Sequence, residues 1–253
     1  MLGRIALLGA VLILPGCSMH SIELAAGPGQ ETIVRDGLPA LISKKKHVVM
    51  LSPKARRLKG NARPTFTVAV LNAGDQPVTL REASVNARQV VAGKSTSLRV
   101  YRYDELVSEE QTRQAVAAVG AALSGAGRAM SASNAGYVNT TGNINAYSPH
   151  GTPYGSATYT ARTYDPLRAQ LAQQAANAET QREVADLRAQ GEKNLALLQG
   201  TILKDNTVMP SEWYGGTVVL DPPKHASDQP ARYEVVIEFG GEQHTFSVLH
   251  VES

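Results

Sequence analysis

Residues 64–80 read PTFTVAVLNAGDQPVTL. Phe66, Val68 and Val70 alternate with small or polar residues, which is the period of a half-buried β-strand. The following run, 72–77, is rich in the residue types that form tight turns, and 78–80 then resumes an extended pattern. Short strands separated by dense turns are typical of β-sheet domains, so this stretch sets the expected fold class.

Similar runs occur before and after a long middle section of the chain. The run 233–239 alternates apolar with more polar positions, and Gly240-Gly241 after it is a two-residue hairpin signal. Strands punctuated by turns in this way predict a β-sandwich made from 32–103 together with 201–253. The further apolar runs of strand length are 32–34, 38–42, 47–51, 83–87, 98–103, 213–220 and 244–251.

The middle section, 104–200, has helical character. It opens with acidic residues, which suit the positive end of a helix dipole, and is then alanine-rich to about residue 132. Asp165 and Pro166 fit the N-cap and first position of a second helix that runs to about residue 199. The two helices predict a hairpin inserted between sandwich strands. A helix of about 34 residues would be about 50 Å long, so we expect this hairpin to project.

Small residues on the first predicted helix favour close packing against another helix. Gly120 and Ser124 are four residues apart, and Ala117, Ala121 and Gly125 repeat the same spacing. Such small-xxx-small patterns allow two helix backbones to approach closely. The neighbour is either the second helix of the same chain or another molecule, and Gly120 and Ser124 are therefore candidate interaction residues.

Residues 133–164 form the predicted tip of the hairpin. This segment is rich in Gly, Ser, Thr, Asn and Tyr and is nearly uncharged. The alternation of small and larger residues over 156–164 favours β-structure, and a β-hairpin, an assembly-forming ribbon and a flexible loop remain alternatives. Its tyrosines are candidate interaction residues: Tyr137, Tyr147, Tyr154, Tyr159 and Tyr164.

The chain has one cysteine, Cys17, which follows an apolar run near the N-terminus. Arg4 and the apolar residues 5–14 have the layout of a secretory signal. Ten apolar residues rise about 15 Å in a helix, half of a ~30 Å hydrocarbon core, which argues against a permanent transmembrane helix. A single cysteine also excludes an internal disulfide.

The sequence Leu-Pro-Gly-Cys at 14–17 resembles a bacterial lipobox, the cleavage motif of lipoprotein signal peptides. The resemblance implies that 1–16 is removed, that Cys17 receives a diacylglyceryl group and usually a further acyl chain, and that 17–31 is a lipidated tether. Ser18 after the cysteine implies sorting to the outer membrane, facing the periplasm. Pro15 departs from the alanine or serine most common at its position.

Two segments resemble immunoglobulin-like domains of bacterial cell-envelope proteins: TFTVAVLNAGDQPVTL at 65–80 and TVMPSEWYGGTVVLDPP at 207–223. The resemblance covers under half of the chain and implies an immunoglobulin-like sandwich. The predicted fold class is therefore α+β: such a sandwich, interrupted at 104–200 by a long projecting helical hairpin with a Gly/Ser/Tyr-rich tip.

Neither composition nor motifs indicate catalysis. The net charge is only +3, and the basic clusters at 44–46 and 54–59 fit a solvated loop or strand end, or contact with anionic lipid headgroups. The chain has no nucleophile elbow, P-loop or dinucleotide fingerprint. The sequence therefore predicts no cofactor, and its small net charge predicts no nucleic-acid partner. It also predicts no metal site, because its histidines share no metal-ligand spacing: His20, His47, His150, His225, His244 and His250.

Three functions remain open on the sequence. The first is a membrane-anchored, non-enzymatic envelope lipoprotein that contacts a protein partner or copies of itself through the tip and the small-residue helix. The second is an oligomeric, membrane-inserting or pore-like element built from helix 113–132 and the tip. The third is an inhibitor or ligand-binding sandwich that uses its loops.

Overall fold

A computed structural model describes residues 19–35, 37–59, 62–91, 94–147, 153–222 and 231–252. Within these ranges the chain is α+β, with sixteen strands in open sheets and two α-helices, which fits a β-sandwich with helices. It divides into two compact units, one of Met1–Glu105 with Gly200–Ser253 and one of Leu106–Gln199. The sequence places the insertion at 104–200.

The strands and helices are named in chain order. The helices are α1 (Tyr103–Asn134) and α2 (Pro166–Thr201). The strands are β1 (Met19–Ala25), β2 (Gln30–Arg35), β3 (Leu38–Lys44), β4 (Val48–Pro53), β5 (Arg57–Lys59), β6 (Thr65–Leu71), β7 (Val78–Leu80), β8 (Val85–Val91), β9 (Lys94–Leu98), β10 (Val100–Tyr101), β11 (Tyr137–Tyr147), β12 (Pro153–Tyr164), β13 (Asn206–Val208), β14 (Trp213–Leu220), β15 (Ala231–Phe239) and β16 (Glu242–Glu252).

Two six-stranded sheets make up most of the first unit. One has the strand order β5-β1-β16-β15-β8-β9, and the other has the order β10-β14-β6-β4-β3-β2. Neighbouring strands in both sheets are antiparallel. The short strands β7 and β13 pair with each other in a third, two-stranded sheet of the same unit.

The core of this unit combines apolar side chains from both six-stranded sheets. Phe66, Val68 and Val70 of β6 are fully buried, which confirms that they share one face of the strand. Tyr233 of β15 is buried with them, and its ring meets that of Phe66 edge-on at 6.2 Å between centroids. Fully burying a side chain of this size contributes about 1.5–3 kcal/mol, so these inward faces hold the sheets together.

The predicted tether is wrong for residues 19–25, which form β1. After its first residue this strand pairs continuously with β16, from His20 opposite Glu252 to Ala25 opposite Ser247. Ile22 points into the core and is 4% exposed. The partner strand lies more than 200 residues further along the chain, so the local sequence pattern carries no sign of the pairing.

The two helices of the second unit begin where their capping residues predict. Asp104 and Glu105 lie in the first turn of α1. The Asp165 carboxylate accepts hydrogen bonds from the backbone N–H groups of Leu167 at 3.0 Å and Arg168 at 3.2 Å, which confirms Asp165 as the N-cap of α2.

Contacts between α1 and α2 run in opposite order along the two helices. Near the start of α1, Asn194 donates to the Glu110 carboxylate at 3.1 Å. Further along, the Arg128 guanidinium donates to Glu183 at 2.7 Å. A higher residue number on α1 is thus matched by a lower one on α2, and the helices pack antiparallel.

Two glycines allow the helices to approach closely. A Cβ atom at Gly125 would lie 2.8 Å from Cγ2 of Thr180, and one at Gly191 would lie 2.5 Å from Cδ of Gln114. Ala121, which is 2% exposed, lies on the same side of α1 as Gly125. The small-residue set that contains Ala121 and Gly125 therefore packs within the chain.

The described part of the segment between the helices forms a two-stranded antiparallel ribbon, so a flexible loop is the wrong alternative for these residues. β11 and β12 pair in continuous register from Tyr137 opposite Tyr164 to Ala146 opposite Gly155, with an irregularity after Ala146. Residues 148–152 lie outside the described residues.

Candidate functional site: an exposed helix face and a two-stranded ribbon

One side of α1 carries large apolar side chains that remain mostly exposed. They are 61–71% exposed and recur at spacings of three, four and seven residues, which places them on one side of the helix. We call this set the α1 apolar face: Val116, Val119, Leu123 and Met130.

The α1 apolar face points away from α2. At 100° per residue, the α1 residues that touch α2, Gln114, Gly125 and Arg128, lie on the opposite side of the helix. The contact between the two helices therefore cannot cover the apolar face. Single exposed apolar residues are ordinary, whereas large contiguous exposed apolar patches are typical of interaction surfaces.

Gly120 and Ser124, both predicted as interaction residues, are exposed on α1. At 100° per residue they lie between the α1 apolar face and the side of the helix that contacts α2. A Cβ atom added at Gly120 would meet no atom within 4 Å. The structure thus separates the two small-residue sets that the sequence could not distinguish. Ala121 and Gly125 pack against α2, whereas Gly120 and Ser124 face solvent.

Charge is confined to the borders of the α1 apolar face. Residues 114–127 contain no charged side chain, and the flanking arginines are both engaged. Arg113 pairs with Glu110 at 2.7 Å. Arg128 pairs with Glu183, and this hydrogen bond raises the pKa of the guanidinium above its ordinary value. A partner for this face would therefore be apolar rather than charged.

The ribbon has two chemically different faces. Directly opposed residues of an antiparallel pair lie on the same face of the sheet, so the register shows which face each paired residue occupies. The polar face carries Tyr137, Asn139, Thr141, Asn143 and Asn145 with Ser156, Thr158, Thr160, Arg162 and Tyr164. The apolar face carries Val138, Gly142, Ile144 and Ala146 with Gly155, Ala157, Tyr159 and Ala161, besides Thr140 and Thr163.

The predicted tyrosines fall on both faces of the ribbon. Tyr137 and Tyr164 meet edge-on at its base, with ring centroids 5.0 Å apart, and the Arg162 guanidinium lies 4.1 Å from the Tyr137 ring centre. Tyr159 packs over Gly142 on the opposite face, where a Cβ atom would lie 2.5 Å from its ring. All three rings are about half exposed. The side chains of Tyr147 and Tyr154 lie outside the described part of the chain.

A groove of about 430 Å³ runs between α1 and α2. Ala115 and Ala118 line it from α1, and Val184 and Leu187 line it from α2. Its walls are mostly apolar, and Arg188 supplies the nearest charge. The groove adds a second uncovered apolar surface to the helical unit.

The sandwich contains a buried polar cluster that the sequence did not reveal. The Glu242 carboxylate accepts hydrogen bonds from the backbone N–H groups of Lys46 at 3.0 Å and His47 at 2.9 Å. His244 Nδ1 lies 3.0 Å from the Ser43 hydroxyl, and its Nε2 lies 3.8 Å from Glu242. The Gly240-Gly241 turn was predicted, but its packing against the β3–β4 turn depends on residues almost 200 positions away.

Burial determines the chemistry of this cluster. The His244 ring has no exposed surface, and its burial lowers the pKa of the imidazole below its ordinary value. The Ser43 hydroxyl is also buried, so neither group is presented to a substrate. The hydrogen bonds of this cluster therefore hold the Gly240-Gly241 turn against the neighbouring sheet.

The remaining predicted residues are placed as follows. Cys17 and residues 1–16 lie outside the described residues, as do His150 and His225. Across the ranges that the structure describes, no group of three or more His, Cys, Asp or Glu side chains is arranged to hold a metal ion. Neither α1 nor α2, as described, has a stretch long and apolar enough to cross a membrane. No protein-family model, curated protein or solved structure matches this chain.

Proposed function

We propose that this protein is a membrane-anchored envelope lipoprotein that acts as a structural and interaction module and performs no catalysis. The observation that carries this proposal is the α1 apolar face, with its aligned, mostly exposed side chains on an uncharged helix surface. Exposed apolar area is unfavourable in water and is recovered when a partner covers it.

The energy available on this face indicates how the module works. Covering the exposed two-thirds of each side chain contributes about 1–2 kcal/mol, or roughly 4–8 kcal/mol for the α1 apolar face. Association itself costs about 4–15 kcal/mol because the two molecules lose translational and rotational freedom. The helix face alone therefore supports weak binding, and a strong complex needs a second contact or a shared membrane that raises the local concentration.

The ribbon is suited to supply the second contact. A two-stranded hairpin on its own is marginally stable in water, and a third strand or a covering surface stabilises it. Natural edge strands are usually protected by charges or prolines. β11 and β12 contain one charged residue, Arg162, and one proline, Pro153, which is the first residue of β12, so most of each edge is open to pairing with another strand.

The proposed localisation rests on the N-terminal sequence. The lipobox-like motif ending at Cys17 supports attachment of lipid, and two or more acyl chains anchor a protein stably. Ser18 supports outer-membrane sorting with the protein facing the periplasm. We also propose that the sandwich is immunoglobulin-like and that α1, the ribbon and α2 form a helical hairpin that projects from it; the antiparallel helix contacts support the hairpin.

Substitutions on the α1 apolar face test the interaction role. Val116→Lys with Leu123→Lys should abolish envelope cross-links and reduce the mass measured by light scattering. Leu197→Lys is the control, because Leu197 of α2 is also about half exposed but lies away from this face. Cross-links that survive in the double variant would contradict the proposal.

Fractionation and mass spectrometry test the proposed localisation and lipid attachment. The wild-type chain should appear in the outer-membrane fraction with a lipidated N-terminus at Cys17. The Cys17→Ala variant should leave that fraction. An unmodified mature chain that begins elsewhere would refute the lipid anchor.

The ribbon supports a second candidate, membrane insertion. Its apolar face alternates with its polar face along eleven-residue β11 and twelve-residue β12, and Ile144 is exposed on the apolar face. Leakage from liposomes by the Cys17→Ser chain, abolished by Ile144→Asp but not by Asn143→Asp, would favour insertion over assembly.

A further inference from the structure

The basic strand β5 lies directly beside the first residues of β1. In their antiparallel pairing, Lys59 lies opposite Met19 and Arg57 lies opposite Ser21. Opposed residues point to the same face of a sheet, so both basic side chains share a face with Met19 and Ser21.

This shared face is the outer face of the sandwich. The intervening residues His20 and Ile22 point the other way and are buried. Arg57 and Lys59 are exposed, and β5 is the edge strand of its six-stranded sheet. The side chains of Lys54 and Arg56, just before them, are exposed as well.

We propose that this edge, formed by Arg57 and Lys59 beside Met19, binds anionic lipid headgroups. The inference deepens the proposed function and rests on the lipid anchor at Cys17. Two residues span at most about 7 Å, and opposed strand residues lie about 5 Å apart. Chain reach therefore limits the separation of Lys59 from the proposed anchor to about 12 Å, which is about one and a half Debye lengths at physiological ionic strength.

The other basic cluster lacks this geometry. Lys44 is paired with Glu31 at 2.7 Å, and Lys45 donates to the carbonyl oxygen of Gln243 at 2.7 Å. Glu23, the acidic residue on the outer face of β1, lies four residues beyond Met19, or about 14 Å along the strand. The basic end of this edge is thus the end nearest the anchor.

The chemistry fits a phosphodiester headgroup such as that of phosphatidylglycerol. The Arg57 guanidinium can donate two parallel hydrogen bonds to one phosphate, and the Lys59 ammonium acts as a compact charge. Each basic residue near an anionic surface strengthens binding about five-fold. Acyl chains and basic residues together would hold this sheet edge against the membrane, where acyl chains alone would leave it free to rotate.

Labelling of lysines in proteoliposomes tests the contact on the lipidated protein. Lys59 should react more slowly with a water-soluble amine reagent in phosphatidylglycerol vesicles than in neutral phosphatidylcholine vesicles. Lys94 is the internal control, because it is exposed and begins β9 at the opposite edge of the same sheet, about 24 Å away across five strand spacings. Equal protection of the two lysines, or none, would overturn the proposal.

Vesicle flotation of the Cys17→Ser chain, which cannot carry the proposed lipid, provides the second measurement. Arg57→Gln with Lys59→Gln should weaken binding to phosphatidylglycerol vesicles about 25-fold, and Lys94→Gln should leave it unchanged. The inference would be refuted if binding were equally strong to phosphatidylglycerol and phosphatidylcholine vesicles. Equal weakening of binding in the double variant and in Lys94→Gln would also refute it. Mass spectrometry of the mature N-terminus tests the anchor separately, so the two failures are distinguishable.

Discussion

The backbone N–H of Asp165 donates to the carbonyl oxygen of Gly136 at 2.7 Å, which closes the base of the ribbon between the two helices. The chain leaves α1 and enters α2 at adjacent points. Because Gly136 and Asp165 are hydrogen-bonded, a short loop between them could join α1 to α2 without the ribbon.

We expect that replacing 137–164 with two glycines leaves the helix pair folded. The contacts between α1 and α2 lie outside the excised segment, so helicity by circular dichroism and the melting temperature should stay within a few degrees of the wild type. Mass by light scattering should fall to that of the monomer if the ribbon mediates assembly. Loss of helicity would show instead that the ribbon supports the helices.

Two glycines on α1 should respond to alanine in opposite directions. Gly120→Ala should stabilise the chain by about 0.5–1 kcal/mol, because Gly120 is exposed with open space around it and alanine is the better helix former. Gly125→Ala should destabilise it by about 1–3 kcal/mol, because the new methyl group meets Thr180. Urea unfolding of both variants measures the difference, and equal effects would contradict the assigned helix faces.

Removing the hydroxyl of Tyr233 should stabilise the sandwich. This hydroxyl is buried and has no hydrogen-bond partner among the described residues, and burial raises its pKa. Tyr233→Phe keeps the ring and its edge contact with Phe66 and removes an unsatisfied polar group. We expect a gain of about 1 kcal/mol, seen as a higher urea midpoint. A lower midpoint would mean that bound water satisfies the hydroxyl.

The sandwich should lose stability as the pH falls below about 6.5 because of His244. Burial lowers the pKa of its imidazole from the ordinary 6.5, and the charges of Lys45 and His47 act in the same direction, while Glu242 opposes them. Below pH 6.5 the unfolded chain takes up a proton that the folded chain resists, so unfolding becomes more favourable. His244→Gln should reduce the change in melting temperature between pH 5 and pH 7. An unchanged pH dependence would contradict this prediction.

Glu242 should give a separate loss of stability at lower pH. Burial raises the pKa of its carboxyl, but hydrogen bonds from the backbone N–H groups of His47 and Lys46 outweigh this effect, and the pKa lies below the ordinary 4.5. The stabilisation is therefore complete above pH 4.5 and is lost as the pH falls through the folded pKa. Glu242→Gln should remove this acid transition. The loss of stability below pH 6.5 should remain, because the Glu242 charge opposes the lowering of the His244 pKa and does not cause it.

Local patterns predicted the elements that depend on nearby residues. The alternation of Phe66, Val68 and Val70 identified a core strand, and Asp165 identified the start of a helix. These signals are local because strand faces and helix caps involve residues only two to four positions apart.

The contacts that the sequence missed join residues far apart in the chain. The tether predicted at 17–31 is wrong at β1 because this strand pairs with β16 near the other end of the chain. The cluster of His47, Glu242 and His244 likewise joins two distant turns. Both small-residue sets on α1 looked alike, and only the position of α2 distinguishes Ala121 from Gly120. Composition and spacing therefore predict the candidate interaction residues, but only the fold shows which face of its helix or ribbon each one occupies.

The pairing of β1 with β16 also constrains how the protein matures. Ser21 and Val251 are 230 residues apart, yet they lie side by side in the sheet. Contacts of such high sequence separation form late and slowly, since a long loop must close first. During synthesis, residues 22–25 of β1 would lack a paired strand until β16 has been made, and this open strand edge would favour aggregation over that interval.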